Sequence, residues 1–222
     1  ARYYDLKNQY KDQLKSQIGA RTLRQEAREF EAGDRGRIGQ DVGQIVNQDA
    51  SLRKMKDMAV DWQGSSHKPN PMMFKYKAEK MEMDTPPTAA ASNPEQMREM
   101  ADEMFTNEDY LRIRSFNQAY METIGEKKTY ELLRGTDGRT GERIRQSIVG
   151  AGTRRTKFPM QDSSLAGYTD DLKTADKFGV GNRGIALKYK FKREDVIIHR
   201  DMISGLTGGF TREREWIVKG LN

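Results

Sequence analysis

Apolar side chains recur every three to four positions through the first part of the chain, a spacing typical of one face of a helix. Residues 1–32 carry such a stripe, and we expect helix there until Gly33, where a turn sequence begins. A second helix is predicted for 41–62. The first stripe consists of Tyr3, Leu6, Tyr10, Leu14 and Ile18, and the second of Val42, Ile45, Val46, Leu52, Met55, Ala59 and Trp62. Each stripe would cover another part of the chain or a partner protein.

Residues 63–94 interrupt this pattern. They contain five of the six prolines, so we predict a Pro/Met-rich linker or long loop there. Asn93-Pro94-Glu95 then supplies a cap, a first-turn proline and an acid near the positive end of the dipole, which predicts a new helix. A further helix is predicted for 107–124, ending at Gly125. Residues 1–125 are therefore predicted to form a helical N-terminal region.

Short strands begin after Lys128. They alternate with short helices, and glycines or polar clusters separate them. The predicted strands are 130–136, 185–191, 196–199 and the apolar run after Glu215, and the predicted helices are 141–149 and 172–178. This mixture predicts an α+β fold, with 126–222 as its own domain.

The amino-acid composition argues against several kinds of catalytic and metal site. Charged residues make up 32% of the chain and the mean hydropathy is −0.91, so the core is expected to be modest. The sequence has no cysteine, which excludes disulfides and thiolate chemistry. His67 and His199 are the only histidines, and no carboxylate cluster supports them. We therefore expect no metal site and no Ser-His-Asp hydrolase.

The sequence also lacks a membrane signature. It has no run of 18 apolar residues, and Ala1-Arg2-Tyr3-Tyr4-Asp5 does not open the apolar segment of a secretory signal. We expect a protein that acts in the cytoplasm or is delivered into a target cell.

Positive charge is concentrated in the second half. The net charge is +6, and 127–222 contain 20 basic against 12 acidic residues. Such a surplus suits a phosphate-bearing ligand or an acidic macromolecule. A basic cluster within it favours either a solvated face with a ligand contact or nucleic acid as a target. That cluster is Arg139, Arg143, Arg145, Arg154, Arg155 and Lys157.

The segment Gly179-Val180-Gly181-Asn182-Arg183-Gly184 has the spacing of a dinucleotide-binding fingerprint. That fingerprint needs a strand before it and a helix after it. The predicted order here is helix, glycines, strand, so we interpret the segment as a turn.

Two carboxylates, Glu213 and Glu215, lead into the last predicted strand. In an extended chain they would lie roughly 6 to 7 Å apart on one face, a workable spacing for two roles at one reaction centre. Taken alone, the pair is more simply explained as a charged edge strand. Two other motifs precede it in order: Arg134 in Leu132-Leu133-Arg134-Gly135-Thr136, and Thr169 in Tyr168-Thr169-Asp170-Asp171-Leu172.

The ordered set resembles the Arg–Ser–Glu class of ADP-ribosyltransferases, which includes bacterial toxins, phage-encoded transferases and vertebrate ecto-enzymes. The resemblance covers roughly 128–220. It implies two packed, roughly perpendicular β-sheets with flanking helices and NAD between them. It also implies nicotinamide release and transfer of ADP-ribose to a target macromolecule, with protein favoured over RNA or DNA.

The resemblance also implies residue roles. Arg134 would bind the pyrophosphate and Gly135 would approach the nicotinamide, with Thr136 and Phe178 completing the NAD site. Thr169 would support Glu215, which would bind the ribose and stabilise its developing positive charge. The family usually has Ser-Thr-Ser where this chain has Thr169-Asp170-Asp171.

The Glu-x-Glu form resembles members that modify arginine. Glu213 would orient the acceptor guanidinium and accept its proton. Phe210, in the preceding glycine-bearing loop, would contact the acceptor protein, although an anchor for the loop explains it too. The alternatives are modification of nucleic acid and a non-enzymatic basic binding module, associated with a virion or with secretion.

Overall fold

The structure is a computed structural model. It describes residues 1–33, 37–83, 94–125, 127–136, 138–152, 165–179, 184–207 and 214–220. Of the sites predicted above, Phe210 and Glu213 lie outside these ranges, as do Arg154, Arg155 and Lys157.

The N-terminal half is helical, as the periodicity predicts, but it is divided more finely. Helix α1 spans Arg2–Gln17, α2 spans Ala20–Glu31, α3 spans Ile38–Gln48 and α4 spans Ala50–Gly64. The stripe over 1–32 breaks at Gly19, whose φ of 96° lies in the left-handed region that favours glycine. The helix predicted for 41–62 breaks at Asp49, which is extended and accepts hydrogen bonds from the backbone nitrogens of Ser51 and Leu52.

The linker predicted for 63–94 is wrong in its central part. Pro69–Glu82 form helix α5, with Met73, Phe74 and Ala78 buried on one side. Two of the prolines lie in the first turn of α5, where the backbone needs no amide hydrogen for the helix. They therefore start this helix and do not interrupt it.

Helix α7, Asn107–Ile124, follows α6, Pro94–Met104, and lies at the centre of the molecule. It begins at a capping box, because the Thr106 hydroxyl accepts from the Asp109 amide and the Asp109 carboxylate accepts from the Thr106 amide. It packs against α1, α2 and α4 on the helical side. Its bounds are those predicted from the sequence.

Among the described residues after α7 there are five strands, with two helices between them. The strands are β1 Thr129–Thr136, β2 Leu165–Thr169, β3 Ile185–Lys192, β4 Val196–Ile198 and β5 Glu215–Lys219; the helices are α8 Gly138–Ala151 and α9 Leu172–Phe178. A 3-10 turn at Arg193–Asp195 and a π-helical turn at Asp201–Gly205 complete this half. The α+β class is confirmed.

The strands form one antiparallel sheet in the order β3-β1-β2-β5-β4. The second, perpendicular sheet implied by the resemblance is not found among the described residues. The sheet has a weak junction, since β1 pairs with β3 along its whole length but with β2 only at Leu133 and Thr169.

Helix α7 joins the two halves. The Gln118 amide donates to the carbonyls of Arg193 and Val196, and the Asn117 side chain accepts from the His199 amide. One hydrophobic core runs from α1 to β5 across the boundary predicted at 125. Within the described ranges, no helix has both the length and the apolar character to cross a bilayer.

Candidate functional site

The three sequence motifs meet on three adjacent strands. Leu133 of β1 is paired with Thr169 at the end of β2, and Thr169 is paired with Glu215 at the start of β5. Residues directly opposite each other in an antiparallel pair share a face, so Thr169 and Glu215 project from the same side. The structure therefore brings together these two predicted site residues.

Arg134 lies beside this row but projects from the other face. It follows Leu133 in β1, and successive side chains of a strand alternate. Its guanidinium carbon is 5.5 Å from the centre of the Tyr168 ring, and Tyr168 also points away from Thr169. Arg134 and Glu215 are thus on strands that β2 separates, and they do not share a face.

The charges of Arg134 and Glu215 both affect the pKa of Lys75 in α5. Burial lowers the pKa of Lys75, Arg134 lowers this pKa further, and Glu215 raises it. Its ammonium lies 4.9 Å from the centre of the Trp62 ring. The helical half therefore contributes a cation whose pKa both motif residues affect, which the sequence alone did not predict.

Two neighbours define the position of the Glu215 carboxylate. The indole nitrogen of Trp62 in α4 donates a 2.7 Å hydrogen bond to Oε1. The carboxylate also lies over Gly167 of β2, where a methyl group would collide with Oε1. Sequence analysis placed Trp62 in a helical stripe and gave Gly167 no role, because both contacts are tertiary.

Two of the predicted NAD contacts are engaged within the fold, and a third is exposed. Gly135 faces the end of α9 so closely that a methyl group would collide with the backbone of Ala175 and Gly179. The Thr136 hydroxyl donates to the Ile185 carbonyl at 3.2 Å. Phe178, the last residue of α9, is 42% exposed. Packing accounts for the glycine at 135, and the nicotinamide contact stays a prediction.

The two aspartates that depart from the family pattern are structural. Asp171 caps α9 by accepting hydrogen bonds from the backbone nitrogen and hydroxyl of Thr174, which hold the pKa of Asp171 below its ordinary value. Asp170 accepts hydrogen bonds from Arg200, Arg214 and the indole of Trp216. In the same turn, the Thr169 hydroxyl accepts a 3.1 Å hydrogen bond from the Asp171 amide.

The backbone of Arg214, between the paired carboxylates, does not have the conformation of a strand. Its φ of 48° lies in the left-handed region, which is uncommon for a residue with a side chain. Arg214 is therefore not in an extended conformation, and β5 begins only at Glu215. The placement of both carboxylates on one face stays a prediction, because Glu213 lies outside the described residues.

Of the glycine segment after α9, Gly179 and Gly184 lie among the described residues. The Gly184 amide donates a hydrogen bond to the Gly179 carbonyl at 2.7 Å, and β3 begins at Ile185. The turn between these two glycines stays a prediction, because 180–183 lie outside the described residues. In the part of the chain that the structure describes, no group of three or more histidines or carboxylates is arranged to hold a metal.

Comparison with family models, with characterised proteins and with solved structures gave no match to this chain. Its function must therefore be argued from the geometry. That geometry is a carboxylate hydrogen-bonded to an indole beside a buried hydroxyl, with an arginine on the opposite face of the sheet two strands away.

Proposed function

We propose that this chain is a mono-ADP-ribosyltransferase that cleaves NAD and transfers ADP-ribose to an acceptor. The observation that supports this is the row Leu133–Thr169–Glu215 across β1, β2 and β5, with Arg134 next to it. Three motifs far apart in sequence lie there on three adjacent strands.

Glu215 is the residue to which we assign the ribose. Cleavage breaks the bond between the ribose carbon and the nicotinamide nitrogen, and the electron pair leaves with nicotinamide. The ribose carbon becomes electron-deficient, and a nearby carboxylate stabilises it. The acceptor then forms a bond to that carbon and loses a proton. Trp62 holds the carboxylate in one orientation through its 2.7 Å hydrogen bond.

Arg134 is assigned to the pyrophosphate, because a guanidinium can make two parallel hydrogen bonds to phosphate oxygens. The weak junction between β1 and β2 would let the sheet open towards the two-layer arrangement of the family, with NAD bound at the opening. Gly135, Thr136 and Phe178 line the β1 side of that opening in this proposal.

We propose arginine in a target protein as the acceptor. Glu213, next to Arg214, would orient the acceptor guanidinium, and Phe210 would contact the target. RNA or DNA is the alternative acceptor, which the basic surplus of 127–222 supports by charge alone.

The test is nicotinamide release from NAD, with and without a cell extract. Wild type should release nicotinamide, and Glu215→Gln should lose this activity while keeping its melting temperature. Glu194→Gln is the matched control, because Glu194 is an exposed glutamate of the 3-10 turn. Protease and nuclease digestion of the labelled product would then identify the acceptor class.

A non-enzymatic binding module is the second candidate. Its support is that Arg134 and Glu215 project from opposite faces of the sheet. Folded wild-type protein that releases no nicotinamide under either condition would favour this module and reject the transferase.

A further inference from the structure

A cleft of about 820 Å³ lies on the face of β5 opposite Glu215. Trp216, the neighbour of Glu215 in the strand, forms part of its wall, with Tyr130 and Leu132 of β1. The start of β1, the end of α7 and one side of α2 enclose it. Its volume suits a nucleotide-sized ligand, because small-molecule sites measure about 300–1,000 Å³.

Asp170 orients two arginines towards this cleft. One of its oxygens binds a terminal nitrogen of Arg200 and the other binds Nε of Arg214. Arg200 uses its own Nε on Asp201, so its second terminal nitrogen has no partner in the described chain. Both terminal nitrogens of Arg214 are likewise without one. Arg200 is only 6% exposed, so its guanidinium is a buried donor at the base of the cleft.

His199 adds a second buried donor to the same base. It is 3% exposed, and its Nδ1 accepts a 3.0 Å hydrogen bond from the Asp201 amide. Burial lowers the pKa of His199 to about 4, so the ring is neutral at pH 7 and its proton is on Nε2. Nε2 makes no hydrogen bond to the described residues, and His199 lines the cleft.

The mouth of the cleft is basic. Arg24, Arg28 and Lys127 line it, and Glu31 and Glu131 are its acids. The two aspartates at the base are already bonded to arginines, so they add little negative field. The cleft therefore offers buried donors at its base, aromatic walls and a cationic entrance.

We propose that this cleft binds a nucleotide: the phosphate meets Arg200, Arg214 and His199, and the planar base lies against Tyr130 or Trp216. Charge-assisted hydrogen bonds from guanidinium groups suit phosphate, and aromatic rings suit a flat heterocycle. This site goes beyond the NAD contacts proposed above, since it uses the opposite face of β5 and none of Arg134, Thr169 or Glu215.

The experiment uses a variant that lacks two of the NAD contacts proposed above, so that only the cleft is tested. ADP binding is measured by calorimetry in the full chain carrying Arg134→Gln and Glu215→Gln. We expect ADP to bind there, with adenosine and inorganic phosphate each binding more weakly. Adding either Arg28→Glu or Lys127→Glu at the exposed mouth should weaken ADP binding about tenfold or more. Lys15→Glu, an equal charge change on the exposed side of α1, should not.

Three results would overturn the proposal. They are no ADP binding in the folded double variant, equal binding of adenosine and ADP, or the same effect from Lys15→Glu as from the mouth variants. Arg214→Gln is a further variant that removes a cleft donor without emptying the core, and unchanged ADP affinity in it would also contradict the assignment. None of these results depends on nicotinamide release.

Discussion

The indole nitrogen of Trp62 lies 2.7 Å from the Glu215 carboxylate, across 153 residues of sequence. A residue from the helical half thus fixes the side chain on which the proposed chemistry depends. A hydrogen bond to a charged group contributes about 1.5–3 kcal/mol, so this contact is strong enough to select one orientation.

Trp62→Phe tests that contact. The ring is kept but the donor is lost, so we expect kcat for nicotinamide release to fall about tenfold, with a smaller change in KM. The melting temperature should fall by only a few degrees, because most of the apolar contact remains. Steady-state kinetics and thermal unfolding check this. Undiminished kcat in Trp62→Phe would mean that the indole does not position Glu215.

Gly167→Ala tests the space beneath the same carboxylate. The added methyl group meets Oε1 of Glu215, so the side chain must move and activity should fall at least about tenfold. Gly43→Ala is the matched control, since a methyl group there meets nothing within 4 Å and helix α3 gains up to about 1 kcal/mol. Equal activity in the two variants would contradict the placement of Glu215.

Asp170→Asn tests the anchor of the two arginines. The substitution leaves buried Arg200 with one carboxylate partner, so we expect the free energy of unfolding to fall by about 3 kcal/mol. Asp171→Asn, next to it, keeps an acceptable cap for α9 and should cost less than about 1 kcal/mol. Urea denaturation measures both. Similar losses in the two variants would show that Asp170 does not have this anchoring role.

The stability of this protein should depend on pH through two buried groups of opposite sign. The pKa of His199 falls from 6.5 to about 4 in the folded state, so its contribution is complete above pH 6.5 and is lost as pH falls towards 4. The full loss is about 3 kcal/mol. Burial, with Asp41 nearby, raises the pKa of Glu26 to about 7, so its contribution is complete below pH 4.5 and is lost as pH rises to 7.

Single variants should separate these two effects. In Glu26→Gln the free energy of unfolding should rise between pH 4 and 6.5, and in His199→Gln it should fall between pH 4.5 and 7. The wild type should vary less than either. Denaturant titrations at pH 4.5, 5.5 and 7 measure this. Parallel pH profiles in all three proteins would contradict both assignments.

Local patterns predicted the elements whose ends have local causes. The bounds of α7 and α9 follow from caps and glycines adjacent in sequence, and both agree with the structure. The region around α5 was mispredicted because proline was interpreted as a breaker, whereas its position in a first turn decides its effect. The break at Asp49 was missed because the apolar period continues through it.

The candidate site also combines features that the sequence predicted with contacts that it did not. Motif order predicted that Thr169 and Glu215 would be near each other, and the strand register agrees. The contacts made by Trp62 and Lys75 depend on how α4 and α5 pack against the sheet, and the contact of Gly167 depends on the pairing of β2 with β5. No local pattern encodes either. The left-handed backbone of Arg214 could not be predicted either, because the Arg214 side chain is bound by Asp170, which directly follows β2.

The hydrogen bonds from Asn117 and Gln118 to the second half bear on how this protein can be dissected. A truncated chain of 126–222 would contain all three motifs, yet it would lose the partner of the His199 amide and the indole beside Glu215. It would also expose the sheet surface that α7 covers, so aggregation is the expected outcome. Inactivity of such a fragment would therefore report the loss of these contacts. Assays of the proposed chemistry require the intact chain.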